Sequence, residues 1–92
     1  MNPQIDFRVS RIFRMDTNGK IRAFVDLKIN EAIVLRGLKV VEGERGLFVS
    51  MPQEQGKDSR WYDTVRCLSD GIREKINQCI LDAYKTEMNG RN

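Results

Sequence analysis

The side chains of this sequence able to do chemistry are two thiols, Cys67 and Cys79, thirteen carboxylates and sixteen Lys or Arg cations; there is no histidine. Without imidazole the commonest general base is missing, and with it every Ser-His or Cys-His nucleophile pair. A carboxylate or a lysine can act as acid or base, but none here falls in a catalytic motif, and neither a GxGxxG nor a GxxxxGK[ST] phosphate loop is present. Two thiols alone cannot fill a tetrahedral zinc shell, and their spacing fits no ligand pattern, so neither a metal nor another cofactor is expected. Both cysteines read as reduced, partly buried small hydrophobes. These exclusions point away from an enzyme and from a small-molecule substrate.

What remains is charge. The net charge is +3, with a pI near 9.1. In residues 1–30 six cations (Arg8, Arg11, Arg14, Lys20, Arg22 and Lys28) meet three carboxylates (Asp6, Asp16 and Asp26). The rest of the chain is balanced, so the whole excess lies in the first third. Such a bias is either a solvated face or a surface for a polyanion.

A chain of 92 residues builds one core, hence one domain over residues 1–88 with a flexible tail at 89–92. No run reaches the roughly 18 apolar residues of a membrane span. The N-terminus lacks the basic stretch and apolar core of a signal peptide. A cytoplasmic location without membrane insertion is expected.

The elements that must position the cations are legible in the hydrophobic pattern. Residues 5–15 alternate as a strand, with Ile5, Phe7, Val9, Phe13 and Met15 on one face; residues 20–29 do the same with Ile21, Ala23, Val25, Leu27 and Ile29. Asp16-Thr17-Asn18-Gly19 between them signals a hairpin. A two-residue Asn18-Gly19 loop pairs Phe13 with Phe24 and sets the two apolar rows on opposite faces. A three-residue loop pairs Met15 with Ile21, Phe13 with Ala23 and Val9 with Leu27; it aligns the rows and is the expected register, with Gly19 in the left-handed position. On the outer face Arg14 then opposes Arg22, and Arg8 opposes Lys28, with Ile12 and Phe24 between them. Like charges so placed repel mildly, and a bound polyanion would relieve them while Phe24 stacks.

Residues 32–42 read as a third strand, with Gly37 a bulge or a close approach, and residues 47–51 as a fourth, ended by Pro52. Residues 53–60 read as a mobile loop, after which Trp61, Tyr62 and Val65 resume an edge strand or pack the loop down. Ser69 is a candidate N-cap. Beyond it Ile72, Ile76, Cys79, Ile80 and Ala83 share one face of a helix running to about residue 87. The fold class is therefore α+β: an antiparallel sheet of about four to five strands with a C-terminal α-helix packed on it. Leu81, Tyr84 and Met88 recur as a second stripe on nearly the opposite side. That stripe is either scattered exposed apolar surface or the contact with a second copy in a homodimer.

The stretch Val40-Val41-Glu42-Gly43-Glu44-Arg45-Gly46-Leu47-Phe48-Val49-Ser50-Met51-Pro52 closely resembles the hallmark segment of the SpoVG family, roughly R-V-I-D-G-x-x-G-L-F-V-x-M-P. The basic-apolar hairpin with Asn18-Gly19 and the closing helix fit as well, so the similarity spans about residues 5–85. The resemblance implies a curved antiparallel sheet with a C-terminal helix and a homodimer. It also implies a bacterial regulator of septation and sporulation that binds DNA and RNA. In the family nucleic-acid choice is associated with a Ser-Ser-Thr-Arg-Gly-Lys-like run at the helix start. The matching positions here run from Ser69 to Lys75, so Ser69, Arg73 and Lys75 inherit that role, with Arg66 just before them. Asp70 and Glu74 depart from the family's neutral residues, and two acids there oppose a phosphate while suiting the helix dipole.

The expectation that follows is a homodimer that binds DNA and/or RNA through Arg66, Ser69, Arg73 and Lys75, with Arg8, Arg14, Arg22 and Lys28 as a sequence-blind cradle. The alternative is an interaction module of the division machinery that works through its sheet edge or the Leu81, Tyr84 and Met88 stripe.

Overall fold

The computed structural model of the chain describes residues 4–16 and 18–89. Its best alternating segment becomes the central strand: in β2, Ile21–Ile29, the side chains of Ala23, Val25 and Leu27 are wholly removed from solvent. β2 is flanked by β1, Phe7–Arg14, and β3, Ile33–Gly43, and β4, Gly46–Ser50, adds the far edge of an antiparallel meander. The helix α1, Asp70–Asn89, covers one face. It touches the edge strands β1 and β4 more than the two strands between them, as a sheet curling round a helix requires. The expected α+β class is what the chain adopts.

The hairpin register differs from the expected one. From Phe7 to Val9 the pairs are those of the three-residue loop, Val9 with Leu27 and Arg8 with Lys28; from Arg11 to Arg14 they are those of the two-residue loop, Phe13 with Phe24 and Arg14 with Ala23. A bulge between Val9 and Arg11 joins the two registers. One extra residue reverses the sides that follow, because side chains alternate with period two. Ile12, not Phe13, therefore packs toward the core, and Phe13 stands 50% exposed on the other face. Arg14 moves with Ile12 to the helix side. The bulge at Gly37 is where expected: the β2–β3 register shifts there, and Gly37 takes φ +88, which a side chain rarely tolerates.

On α1 the Ser69 hydroxyl accepts from the Ile72 amide at 3.2 Å, an N-cap. The buried side chains are Ile76, Ile80 and Tyr84, while Ile72, Cys79, Leu81 and Ala83 are half-buried. Steps of four residues drift about 40° round a helix each time, so the contact line turns from Ile76 toward Tyr84. The separate stripe of Leu81, Tyr84 and Met88 does not exist: Tyr84 belongs to the core, Leu81 packs beside it, and Met88 alone is exposed. The helix runs on through Met88 to Asn89, the first residue of the expected tail; residues 90–92, like 1–3 and Thr17 of the hairpin turn, lie outside the described residues.

Residues 53–60 do not form a free loop. β5, Gln53–Gln55, and β6, Trp61–Asp63, make a small hairpin separate from the main sheet. Gln53 Nε2 donates to Asp63 Oδ1 at 2.8 Å, and at the base Thr64 donates from both its amide and its hydroxyl to the Pro52 carbonyl. At the tip the Tyr62 hydroxyl and the Arg60 amide both donate to Asp58. Among the described residues no helix is long and apolar enough to cross a membrane.

Candidate nucleic-acid interface

The four hairpin cations expected to form a cradle are each engaged by the protein's own carboxylates. Arg8 and Lys28 face each other across the strands, and Glu31 sits between them, 4.0 Å from Arg8 Nε and 3.2 Å from Lys28 Nζ. Asp6 adds a second partner for Arg8 at 3.4 Å. Asn30 and Glu31 hold positive φ in the β2–β3 turn, and the Asn30 side chain accepts from the Asp6 amide at 2.7 Å, so this corner brings both acids to the cations. Arg22 pairs with Glu42 at 3.0 Å. Arg14 does not oppose Arg22; it lies 3.9 Å from Asp16, its side chain 27% exposed, on the helix side of the sheet. The repulsion expected on the outer face is thus relieved internally.

The helix start is different. Arg66, Ser69, Arg73 and Lys75 are all exposed. Within the described residues none of Arg66, Arg73 and Lys75 makes an ion pair, so their charge is available to a ligand. Ser69 is committed to its cap, which fixes where the helix begins and so where these cations stand. Two residues apart on a helix, Arg73 and Lys75 project about 200° from one another. They flank the line from Ile72 to Ile76 and meet different parts of a polyanion. Asp70 and Glu74, also exposed and without an ion pair among the described residues, lower the local potential.

Beside this helix start runs an apolar groove of about 280 Å³, lined by Ile5, Phe7, Ile29, Leu35, Cys67 and Ile72 among others. Leu68, at its rim, is 89% exposed. Periodicity could not single it out, because it lies in the connection rather than on an element. Both cysteines are free and half-buried. Burial pushes the Cys79 thiol above its ordinary value, and the thiol donates to the Phe7 carbonyl, so little nucleophilic thiolate forms there.

Sequence reasoning also missed the carboxylates that pair with Arg8, Arg14, Arg22 and Lys28. Glu31 and Glu42 lie in and near turns, and only the folded register shows which cations they reach. Their charge opposite to the Arg and Lys rows was the available signal.

A family model described as SpoVG matches residues 6–86. Relatives named "Putative septation protein SpoVG" cover most of the chain. The one from Agathobacter rectalis is 37% identical over 78 residues, 85% of this chain and 90% of its own. That from Archaeoglobus fulgidus is 39% identical over 77 residues, 84% of this chain and 91% of its own. That from Lachnospira eligens is 35% identical over 80 residues, 87% of this chain and 88% of its own.

Proposed function

Because the chain belongs to the SpoVG family, we propose that it is a small, non-catalytic regulatory protein of the cytoplasm that binds DNA and/or RNA as a homodimer in septation or sporulation control. One observation carries the nucleic-acid part: Arg66, Arg73 and Lys75, at and just before the capped first turns of α1, are exposed and without carboxylate partners among the described residues. Cations in that state displace counterions from phosphates, and affinity then falls steeply with salt. Hairpin cations already held by Glu31, Glu42, Asp6 and Asp16 gain less from a phosphate, so the helix start is the primary contact and the hairpin a secondary one.

The second copy fits at Leu68. An exposed leucine beside an apolar groove is suited to a two-fold contact in which each Leu68 enters the groove of the other copy. Arg66 stays at the rim of such a contact, and both copies present Arg66, Arg73 and Lys75 around one region. Doubling the number of phosphate contacts doubles the electrostatic free energy of binding and gives weak individual contacts a useful sum.

The acids Asp70 and Glu74, with the internal pairing of Arg8, Arg14, Arg22 and Lys28, favour the alternative of an interaction module without nucleic-acid binding. Retention on a mixed oligonucleotide pool separates the two. Strong retention at low salt that weakens markedly at moderate salt supports the proposal; no retention at low salt leaves the interaction module.

A further inference from the structure

Strand pairing sets Phe13 of β1 directly opposite Phe24 of β2, and Phe24 directly opposite Lys39 of β3. The neighbours Ile12, Ala23, Val25, Leu38 and Val40 pack into the core under α1, so alternation turns this row to the face the helix leaves uncovered. Phe13 is 50% exposed there. Trp61, carried in by the β5–β6 hairpin, is 61% exposed, and the Lys39 ammonium lies 6.0 Å from its ring centroid. Adjacent strands are about 4.8 Å apart, so the row offers ring, ring, cation and ring within a few strand spacings.

The row contains a cation and no carboxylate, and Lys39 has no ion-pair partner among the described residues. This chemistry suits an unpaired nucleotide, whose base stacks on a ring while its phosphate meets an ammonium. A duplex keeps its bases stacked on each other and cannot use the rings. A second copy of the chain suits the face poorly, because a two-fold contact would bring two Lys39 ammonium groups together in a desolvated centre.

We infer that the helix-free face of the sheet is a stacking platform for single-stranded nucleic acid, with bases on Phe13, Phe24 and Trp61 and a phosphate on Lys39. The inference rests on the nucleic-acid reading above and adds the strand state and the surface that selects it. The platform lies on the other side of the sheet from α1, so it can be tested apart from the helix start.

The test compares a single-stranded oligothymidylate with a duplex of matched length, using the wild type, a Phe13→Leu/Trp61→Leu variant and an Arg73→Glu/Lys75→Glu variant, with light scattering on each. The leucine variant is expected to lose roughly 5- to 150-fold in single-strand affinity for each of the two rings removed, while duplex affinity stays within about twofold. Trp61 is the only tryptophan, so in the wild type the single strand should quench intrinsic fluorescence and the duplex should not. Unchanged single-strand affinity without quenching, or equal losses on both ligands, overturns the platform and leaves binding to the helix start and the hairpin. A changed mass with unchanged affinity also overturns it and gives the face to a second copy. Retention of neither ligand at low salt overturns the nucleic-acid reading as well.

Discussion

Phe13 lies directly opposite Phe24, not opposite the buried Ala23 to which strict alternation would assign it. The difference is a single bulged residue, and it decides what each face of the sheet carries. Below the bulge Val9 and Leu27 face the helix together; above it Ile12 and Val25 do, and two phenylalanine rings are left on the open side.

The bulge predicts an inverted cost. Ile12→Ala should destabilise the domain by about 1–2 kcal/mol, since it removes a half-buried side chain facing the core, whereas Phe13→Ala should cost under about 1 kcal/mol. Urea unfolding of the two variants measures the difference. Strict alternation predicts the opposite order.

The signal for this bulge was in the sequence and is clear once the register is known. In the row Phe7, Val9, Phe13 and Met15 the intervening position is Arg11, a charge that strict alternation would drive into the core. Two adjacent apolar residues, Ile12 and Phe13, satisfy either parity, so the pattern alone could not choose. The strand pattern of β2, the Gly37 bulge and the Ser69 cap were legible because each rests on local chemistry. The placement of Tyr84 was not, because it depends on how the helix crosses a curled sheet. Nor were the pairings of Arg8, Lys28 and Arg22, since Glu31 and Glu42 reach them only through tertiary structure.

Tyr84 is 8% exposed and closes the core line that runs from Ile76 through Ile80. Tyr84→Ala should cost about 3 kcal/mol or more in thermal or denaturant unfolding. Met88→Ser, on the exposed end of the helix, should change stability by less than about 0.5 kcal/mol and leave the mass in solution unaltered.

Acid should loosen the β5–β6 tip before the main core. Hydrogen bonds from Tyr62 and the Arg60 amide hold the Asp58 carboxyl below its ordinary value of 3.8. A depressed carboxylate stabilises the folded tip fully above that ordinary value, and the contribution is lost as pH falls through the lower, folded value. At neutral pH the tip is therefore at full strength. Amide exchange at Ser59 and Arg60 should accelerate as pH drops below 3.8, after correction for intrinsic rates, and Tyr62→Phe should raise exchange at neutral pH. The same bond raises the Tyr62 hydroxyl above 10.0, so ionising it in strong base should also release the tip.

A two-fold contact at the apolar groove makes the dimer depend on one exposed side chain. Leu68→Glu should lower the mass seen by light scattering to that of a monomer while circular dichroism is unchanged, because Leu68 contributes little to its own core. A dimer that survives the substitution must form elsewhere.

The central claim is that unpaired cations at the helix start meet phosphate, and the salt dependence of binding tests it most directly. Three cations from each of two copies give a plot of log affinity against log salt with a slope of about −5 on duplex DNA, and Arg73→Glu/Lys75→Glu should flatten it to about −2 while the domain stays folded. A wild type that shows no salt dependence, or a variant whose slope and affinity match the wild type, would contradict the account.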